Sequence, residues 1–219
     1  MLDTYGGIIL TKDKNIFIKL TSGLLRGILK LYVYVAYRPK IIYENKETKK
    51  YIRNNPVVFI PNHTSAQDGP VCYFLFPNSA LMVAKDWYEK KWIRFAVYSK
   101  PAIPIDRNNL DTAWLRDAVC MIKSGKNAFI FPEGHTNKTE EIDEFKAGFA
   151  MLAVMTGVPV VPMYINGEYN ALFGKRLRIY VGDVCQLSNE GKGLNSLYLN
   201  NECNRFRNIV KTMKEQYKK

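Results

Sequence analysis

His63 and Asp68 are the two residues of this sequence best suited to acid–base chemistry. They are five positions apart and follow the apolar stretch at 57–60. On one regular α-helix the two side chains would point roughly 140° apart, so they can meet only across a turn. A histidine in the loop leaving a strand would reach an aspartate in the first turn of a helix that Pro70 helps to begin. The imidazole nitrogen facing away from the carboxylate is then free to take a proton from a substrate hydroxyl.

The alternative interpretation of this pair is structural, because a histidine in a loop often only caps or packs against a neighbouring element. The sequence contains neither a G-x-S-x-G elbow nor a cysteine in a comparable position. These are the protein nucleophiles expected in covalent acyl transfer. We therefore expect the attacking group to be a hydroxyl of the substrate.

Arg107 follows a second apolar stretch, at 102–105. A guanidinium at the end of a strand is suited to bind phosphate through two parallel N–H bonds. The alternative is a surface ion pair with Asp106 or Asp111. The sequence alone leaves both interpretations open.

Glu133 and Gly134 follow a third apolar stretch, in the segment Phe131-Pro132-Glu133-Gly134. Glycine permits close approach of the backbone to a ligand, and the carboxylate is able to hold a hydroxyl of a polyol; a plain turn is the alternative. The apolar segment at 158–162 contains two prolines. It predicts either a bulged or edge strand that lines an acyl path or an ordinary core strand.

These polar segments need a scaffold, and the chain predicts short buried strands alternating with helices. This alternation indicates an α/β sheet covered on both faces, with ligands bound at the strand ends. We expect strands at 57–60, 80–83, 102–105, 128–131, 158–165 and 176–182, and helices at about 69–76, 86–99, 110–124, 146–156 and 195–217.

The segment Asn15–Tyr37 predicts an amphipathic helix. Lysine and arginine interrupt it, so no apolar run approaches the roughly 20 residues that cross a bilayer. Such a helix is suited either to lie in a membrane interface or to pack on a protein core. Its predicted apolar face consists of Ile16, Leu20, Leu24, Ile28, Leu31 and Val35, and its polar face of Lys19, Ser22, Arg26 and Lys30.

The charge of the chain requires an anionic partner. The 219 residues include 32 Lys and Arg against 20 Asp and Glu, which gives a net charge of +12 on an otherwise average globular composition. Nucleic acid, anionic lipid and phosphorylated small molecules all fit this charge. Residues 1–55 contain 11 of the basic and 4 of the acidic residues. Because this region also carries the amphipathic segment, an anionic membrane surface is favoured over nucleic acid.

The four cysteines, Cys72, Cys120, Cys185 and Cys203, are far apart and form no C-x-x-C pair. This spacing predicts no metal site and favours a reduced, cytosolic setting. The first residues lack the basic region and the continuous apolar core of a secretory signal. We expect the protein on the cytoplasmic side of the cell membrane, as a peripheral or monotopic protein.

Four ordered blocks within residues 55–167 resemble those of the glycerolipid acyltransferase family, especially the bacterial 1-acylglycerol-3-phosphate acyltransferases. His63 to Asp68 matches the H-x4-D block of that family. The other three blocks are the segments at 103–107, 131–134 and 158–162. H-x4-D alone is a weak signal, whereas four blocks in the right order and spacing are a strong one.

The resemblance implies a mixed, mostly parallel α/β sheet that carries acyl transfer without metal or cofactor. The acyl group would pass from acyl-CoA or acyl-carrier protein to the free hydroxyl of a lysophospholipid, and residues 51–219 would form the catalytic domain behind a membrane-docking segment at 1–50. By this resemblance His63 is the general base and Asp68 its orienting partner. Lys85 and Arg107 would bind the acceptor phosphate, while Glu133 and Gly134 would contact its glycerol part.

The third block departs from the family pattern at Thr136, where an arginine is usual. A guanidinium expected near the acceptor phosphate is therefore absent. Lys85, Lys100, Arg107 or His135 would have to compensate, or the acceptor is another lysolipid or the donor a phospholipid. Two further hypotheses are a non-catalytic lipid-binding protein, suggested by the amphipathic segment, and a nucleic-acid-binding protein, suggested by charge alone.

Overall fold

A seven-stranded mixed sheet forms the centre of the protein in a computed structural model. The structure describes residues 4–5, 8–9, 16–76, 78–91, 102–106, 112–139, 141–169, 174–187 and 195–217. A separate antiparallel pair, β1 (Thr4–Tyr5) and β2 (Ile8–Ile9), lies near the start of the chain. The strands of the main sheet are β3 (Lys40–Tyr43), β4 (Val58–Pro61), β5 (Ser79–Ala84), β6 (Ala102–Ile105), β7 (Asn127–Phe129), β8 (Val160–Asn166) and β9 (Arg178–Val181).

The strand order is β3-β9-β8-β4-β7-β5-β6, and five neighbouring strands from β8 to β6 are parallel. Strand β9 is antiparallel to β8, and β3 is parallel to β9. This arrangement confirms the predicted mixed, mostly parallel α/β sheet. All four residues of β4 are buried, as expected for a parallel strand covered on both faces.

Helices cover both faces of the sheet. Alternate residues of the central region show the two-sided packing: Val58 and Ile60 belong to one apolar cluster, Val57 and Phe59 to the other. Helices α1 (Ile16–Tyr37) and α3 (Asp68–Leu75) pack on the second face. The first face carries α5 (Ala113–Lys123), α6 (Gly148–Thr156) and α7 (Ser196–Tyr217), and the remaining helices are α2 (Lys46–Asn54) and the short α4 (Lys85–Tyr88).

The predicted elements lie close to the observed ones, with four differences, of which the first is that the strand pair β1 and β2 was not predicted. Strand β3 and helix α2 were not predicted. The apolar run of β3 is only three residues long, and α2 is so polar that it shows no apolar periodicity. Strand β3 belongs to the main sheet, although the predicted boundary at residue 50 assigned it to the membrane-docking segment at 1–50. The edge-strand alternative for 158–162 is wrong, since β8 lies between β9 and β4. The continuous helix predicted at 86–99 is wrong at its start, because α4 ends at Tyr88 and residues 89–90 form a turn; residues 92–99 lie outside the described residues.

Helix α1 spans almost the predicted range, but it packs on the sheet through only some of its apolar residues. Val33, Ala36 and Tyr37 are buried against the second face of the sheet. By contrast, most of the predicted apolar face is exposed. The exposed residues of that face are Leu20, Leu24, Ile28, Leu31 and Val35, with exposed fractions between 54% and 67%. Across the described ranges, no helix combines the length and hydropathy that a membrane span requires.

Candidate active site

The loop between β4 and α3 brings His63 and Asp68 together at the carboxyl edge of the sheet. Nδ1 of His63 lies 3.1 Å from Oδ2 of Asp68. Because a carboxylate only accepts hydrogen bonds, Nδ1 is the donor and Nε2 keeps its lone pair. The imidazole faces a cavity, and no protein atom of the described chain hydrogen-bonds Nε2. This is the geometry that a general base with an orienting partner requires.

Asp68 is fully buried, and four donors satisfy its carboxylate. The backbone N–H groups of Thr64 and Ser65 each donate to Oδ2 over 2.8 Å, so the turn itself binds the carboxylate. The hydroxyl of Tyr169 donates to Oδ1. Together with the imidazole, these donors replace the water that burial removes from a charged group.

Tyr169 completes the buried side of this pair. Burial raises the pKa of its hydroxyl above the ordinary value of a tyrosine, and the charge of Asp68 raises it further. Its ring packs edge-on against Tyr37, with centroids 5.1 Å apart. The Tyr37 hydroxyl donates to the side chain of Gln67, and burial is the main cause that raises its pKa to about 12. Both tyrosines are therefore protonated donors at neutral pH.

His63 is also held from the neighbouring strand β7. Its ring stacks on Phe131 with centroids 4.0 Å apart. Its backbone N–H donates to Oε1 of Glu133 over 3.0 Å, and its carbonyl accepts from the backbone N–H of Asn137 over 2.7 Å. Because β4 and β7 are parallel neighbours, the loops that follow them meet at one edge, which explains these contacts.

Glu133 is 2% exposed, and both carboxylate oxygens bind protein donors. Besides His63, Oε2 accepts from the Asn137 side chain and from the backbone N–H of Asp143, each over 3.2 Å. The carboxylate therefore ties three loop segments together behind the imidazole. It does not line the cavity, so contact of Glu133 with the acceptor stays a prediction from the resemblance.

An apolar cavity of about 690 Å³ leads from His63 to the space between α1 and α3. Helix α1 contributes Leu29 and Val33 to its wall, and α3 contributes Val71 and Phe74. Polar side chains are a minority of the described lining, and they include His63, Gln67, Thr136 and Lys146. A mostly apolar cavity with a few convergent polar groups is typical of a small-molecule site.

The predicted cationic residues occupy different positions around this cavity. Lys85 follows β5, which β7 separates from β4, so its backbone lies roughly 10 Å from the end of β4. Its ammonium contacts Asp106 over 3.3 Å and does not line the cavity. Arg107 and Lys100 lie outside the described residues. His135 is exposed, and its Nε2 lies 3.0 Å from the carboxylate of Asp143.

A family model described as Acyltransferase matches residues 40–166, more than half of the chain. This chain belongs to the acyltransferase family. The match contains β3 to β8, and hence the His63–Asp68 pair, the Phe131–Gly134 turn and the cavity wall formed by α3 and β5.

Relatives of this chain include proteins from plants and bacteria. A 1-acyl-sn-glycerol-3-phosphate acyltransferase of Cocos nucifera is 30% identical over 132 residues, which are 58% of this chain and 42% of the relative. One of Borreliella burgdorferi is 23% identical over 183 residues, 78% of this chain and 72% of the relative. One of Limnanthes douglasii is 29% identical over 147 residues, 64% of this chain and 50% of the relative. The chain thus spans about half the length of the plant relatives.

The crystal structure of the 1-acyl-sn-glycerophosphate acyltransferase of Thermotoga maritima has the same fold. It superposes with a TM-score of 0.62 at 20% identity, covering 95% of this chain and 84% of that chain. The likeness confirms the predicted acyltransferase-type α/β sheet.

Two residues of the candidate site were missed by sequence reasoning. Tyr169 follows β8 and meets Asp68 from 101 positions further along the chain. Lys146 lies between the third block and α6, and lines the cavity together with Gly134 and Thr136. Neither belongs to a periodic pattern, and only the lack of an arginine at 136 indicated that another cation was needed.

Proposed function

We propose that this chain is an O-acyltransferase that moves a fatty acyl group from acyl-CoA or acyl-carrier protein to the free hydroxyl of a lysophospholipid. The preferred acceptor is 1-acylglycerol 3-phosphate, which gives phosphatidic acid. The observation that carries the proposal is the His63–Asp68 contact at the end of an apolar cavity. Family membership and the names of the relatives support the same reaction class.

In the proposed reaction, Nε2 of His63 takes the proton of the acceptor hydroxyl as its oxygen attacks the thioester carbonyl. The resulting imidazolium is stabilised by Asp68, which keeps its negative charge. Collapse of the tetrahedral intermediate breaks the carbon–sulfur bond, and the thiolate takes the proton back from His63. Since a thioester is already activated, alignment and deprotonation of the hydroxyl are the main tasks of the protein. No metal or cofactor enters this scheme.

The apolar cavity suits the acyl chains of the reactants. Its wall of leucine, valine and phenylalanine side chains removes apolar surface from water, at about 25 cal/mol for each Å² buried. His63, Gln67 and Lys146 are among its few polar lining residues. This combination of an apolar wall and a few polar groups matches the two halves of a lysophospholipid.

We also propose that the segment at 1–50 docks the protein on anionic lipid at the cytoplasmic face of the cell membrane. The exposed stripe of α1 that includes Leu24 and Leu31 supports this proposal, as does the basic excess of residues 1–55. The same helix contributes Leu29 and Val33 to the cavity wall. A docked helix would therefore place the cavity next to the bilayer, where lysophospholipids and their products reside.

Vesicle sedimentation tests the docking. The double variant Leu24→Glu/Leu31→Glu should bind anionic vesicles at least about tenfold more weakly than wild type, because two apolar contacts with the interface are lost. Leu197→Glu is the matched control, since Leu197 is 71% exposed but lies on α7. Equal losses in both variants would contradict docking through α1.

A second candidate acceptor follows from Thr136, which lines the cavity where the family usually has an arginine. Another lysolipid as acceptor, or a phospholipid as acyl donor, would need less positive charge there. The purified protein should be given a mixed pool of lysolipids with labelled acyl-CoA, and the products identified by mass spectrometry. Phosphatidic acid as the main product supports the first proposal, whereas another acylated lipid supports the second. No acylated product with any acceptor would refute both.

A further inference from the structure

Lys146 differs from the other described residues that line the cavity because it carries a positive charge. Within the described part of the chain it is the only lysine or arginine that lines this cavity, and no described aspartate or glutamate lines it. The rest of the wall is mostly apolar apart from His63 and a few neutral polar groups. Lys146 is itself an exposed residue, so its ammonium is open to an anion that enters the cavity from solvent.

The turn at Glu133 and Gly134 fixes where this side chain lies. The backbone N–H of Lys146 donates to the carbonyl of Pro132 over 2.8 Å, which anchors the lysine to the turn. Gly134 has a φ of +73°, and a β-carbon built on it would stand 2.8 Å from Nζ of Lys146. The ammonium thus lies directly over the glycine, in space that any other residue at 134 would occupy.

Among the described residues, the ammonium of Lys146 has no counter-charge within reach. No carboxylate of the described residues lies within ion-pair distance of Lys146, whereas Lys85 contacts Asp106 over 3.3 Å. Thr136, which stands in place of a guanidinium, lines the same cavity. The one cation among the described lining residues therefore lines the same cavity as the position where a cation is missing.

We infer that Lys146 binds the phosphate monoester of the acceptor and so takes over the charge that Thr136 does not supply. This inference rests on the proposed function, because it concerns the acceptor of that reaction. An ammonium that binds a phosphate oxygen makes a charge-assisted hydrogen bond. The lysine then discriminates lysophosphatidic acid from neutral acceptors with the same acyl chain.

Binding and turnover should be measured with a short-chain 1-acylglycerol 3-phosphate and with the matching 1-acylglycerol. Loss of one charge-assisted hydrogen bond corresponds to a change of about tenfold to a hundredfold. Lys146→Met should raise the dissociation constant and KM of the phosphate-bearing acceptor by that factor. It should leave those of the neutral acceptor unchanged and change kcat little. Lys146→Arg should retain the preference for phosphate.

Three further variants sharpen the test. Lys123→Met removes an exposed charge from α5 and should change neither acceptor. Thr136→Arg in the Lys146→Met background should restore affinity for the phosphate-bearing acceptor, because position 136 lines the same cavity. Thr136→Glu should reduce that affinity without altering Lys146, and so remains informative if Lys146→Met folds poorly.

The outcomes separate this inference from the proposed function. If wild type forms phosphatidic acid but Lys146→Met keeps its preference for phosphate, the inference fails alone. A larger loss in Lys85→Met than in Lys146→Met would also overturn it. If wild type neither binds nor acylates any acceptor, the proposed function fails first.

Discussion

Tyr169→Phe tests whether the buried carboxylate of Asp68 depends on a residue outside the sequence blocks. The change removes one hydroxyl and keeps the ring that packs against Tyr37. A hydrogen bond to a charged group contributes about 1.5–3 kcal/mol, and that is the expected loss in the free energy of unfolding. For a domain with a total stability of about 5–15 kcal/mol, this loss is readily measured by urea unfolding.

The same variant should lower the rate without changing the affinity for the acceptor. Tyr169 does not line the cavity, so its effect reaches the substrate only through Asp68 and His63. Loss of an outer hydrogen-bond partner typically costs about tenfold or more in activity, and we expect kcat to fall by about tenfold with KM unchanged. An increase in KM with unchanged kcat would show instead that Tyr169 contacts the substrate.

Tyr37→Phe is the matched control for stability, because its hydroxyl donates to the neutral amide of Gln67. A neutral hydrogen bond contributes about 1 kcal/mol, so this variant should lose less stability than Tyr169→Phe. Equal or smaller loss in Tyr169→Phe would refute the claim that Tyr169 supports a buried charge.

Alkaline pH gives an independent measure of the same tyrosine. Burial raises the folded-state pKa of Tyr169 above the unfolded value near 10, so the folded chain keeps a proton that the unfolded chain releases. The stability it contributes is complete below pH 10 and is lost as pH rises, by at most about 1.4 kcal/mol per pH unit for one group. Urea unfolding from pH 9 to 11 should therefore show a shallower decline in Tyr169→Phe than in wild type; identical slopes would contradict the assignment.

Two further substitutions test the turn behind the imidazole. Glu133→Ala leaves several buried donors without an acceptor, at a cost of about 1–3 kcal/mol each. Urea unfolding should therefore show that the free energy of unfolding falls by at least about 2 kcal/mol. Glu141 is exposed, so the control Glu141→Ala should change this free energy little. Gly134→Ala should cost about 1–2 kcal/mol in stability and also raise KM for lysophosphatidic acid, because the methyl group collides with Lys146. Gly125→Ala also has a positive φ but open space around its β-carbon, so it should lose stability without any change in KM.

The fold could largely be predicted because the parallel strands are short apolar runs and the helices between them are long enough to show their periodicity. Strand β3 was missed because its Ile41-Ile42-Tyr43 run is no longer than many loop segments. Its place in the sheet depends on pairing with β9, more than 130 positions away. The internal position of β8 was equally hidden, since two prolines usually indicate an edge strand.

The candidate site was predictable where its residues are close in sequence. The His63–Asp68 contact follows from one turn between a strand and a helix, and the structure shows the geometry that the spacing requires. Contact of Glu133 with the glycerol part of the acceptor stays a prediction, whereas its hydrogen bond to the His63 backbone depends on the adjacency of β4 and β7 and was not foreseen. Tyr169 and Lys146 belong to the site only through tertiary contacts, which leave no local pattern in the sequence.

The central claim is that His63 removes a proton from the acceptor hydroxyl. The chain has one other histidine, His135, which serves as an internal control. The decisive measurement is the rate of phosphatidic acid formation, coupled to thiol release from acyl-CoA, in wild type, His63→Ala and His135→Ala. His63→Ala should reduce kcat by at least about 10²-fold, the usual contribution of a general base. His135→Ala removes an exposed side chain paired with Asp143 and should retain most of the activity. Turnover by His63→Ala at the rate of His135→Ala would contradict the account.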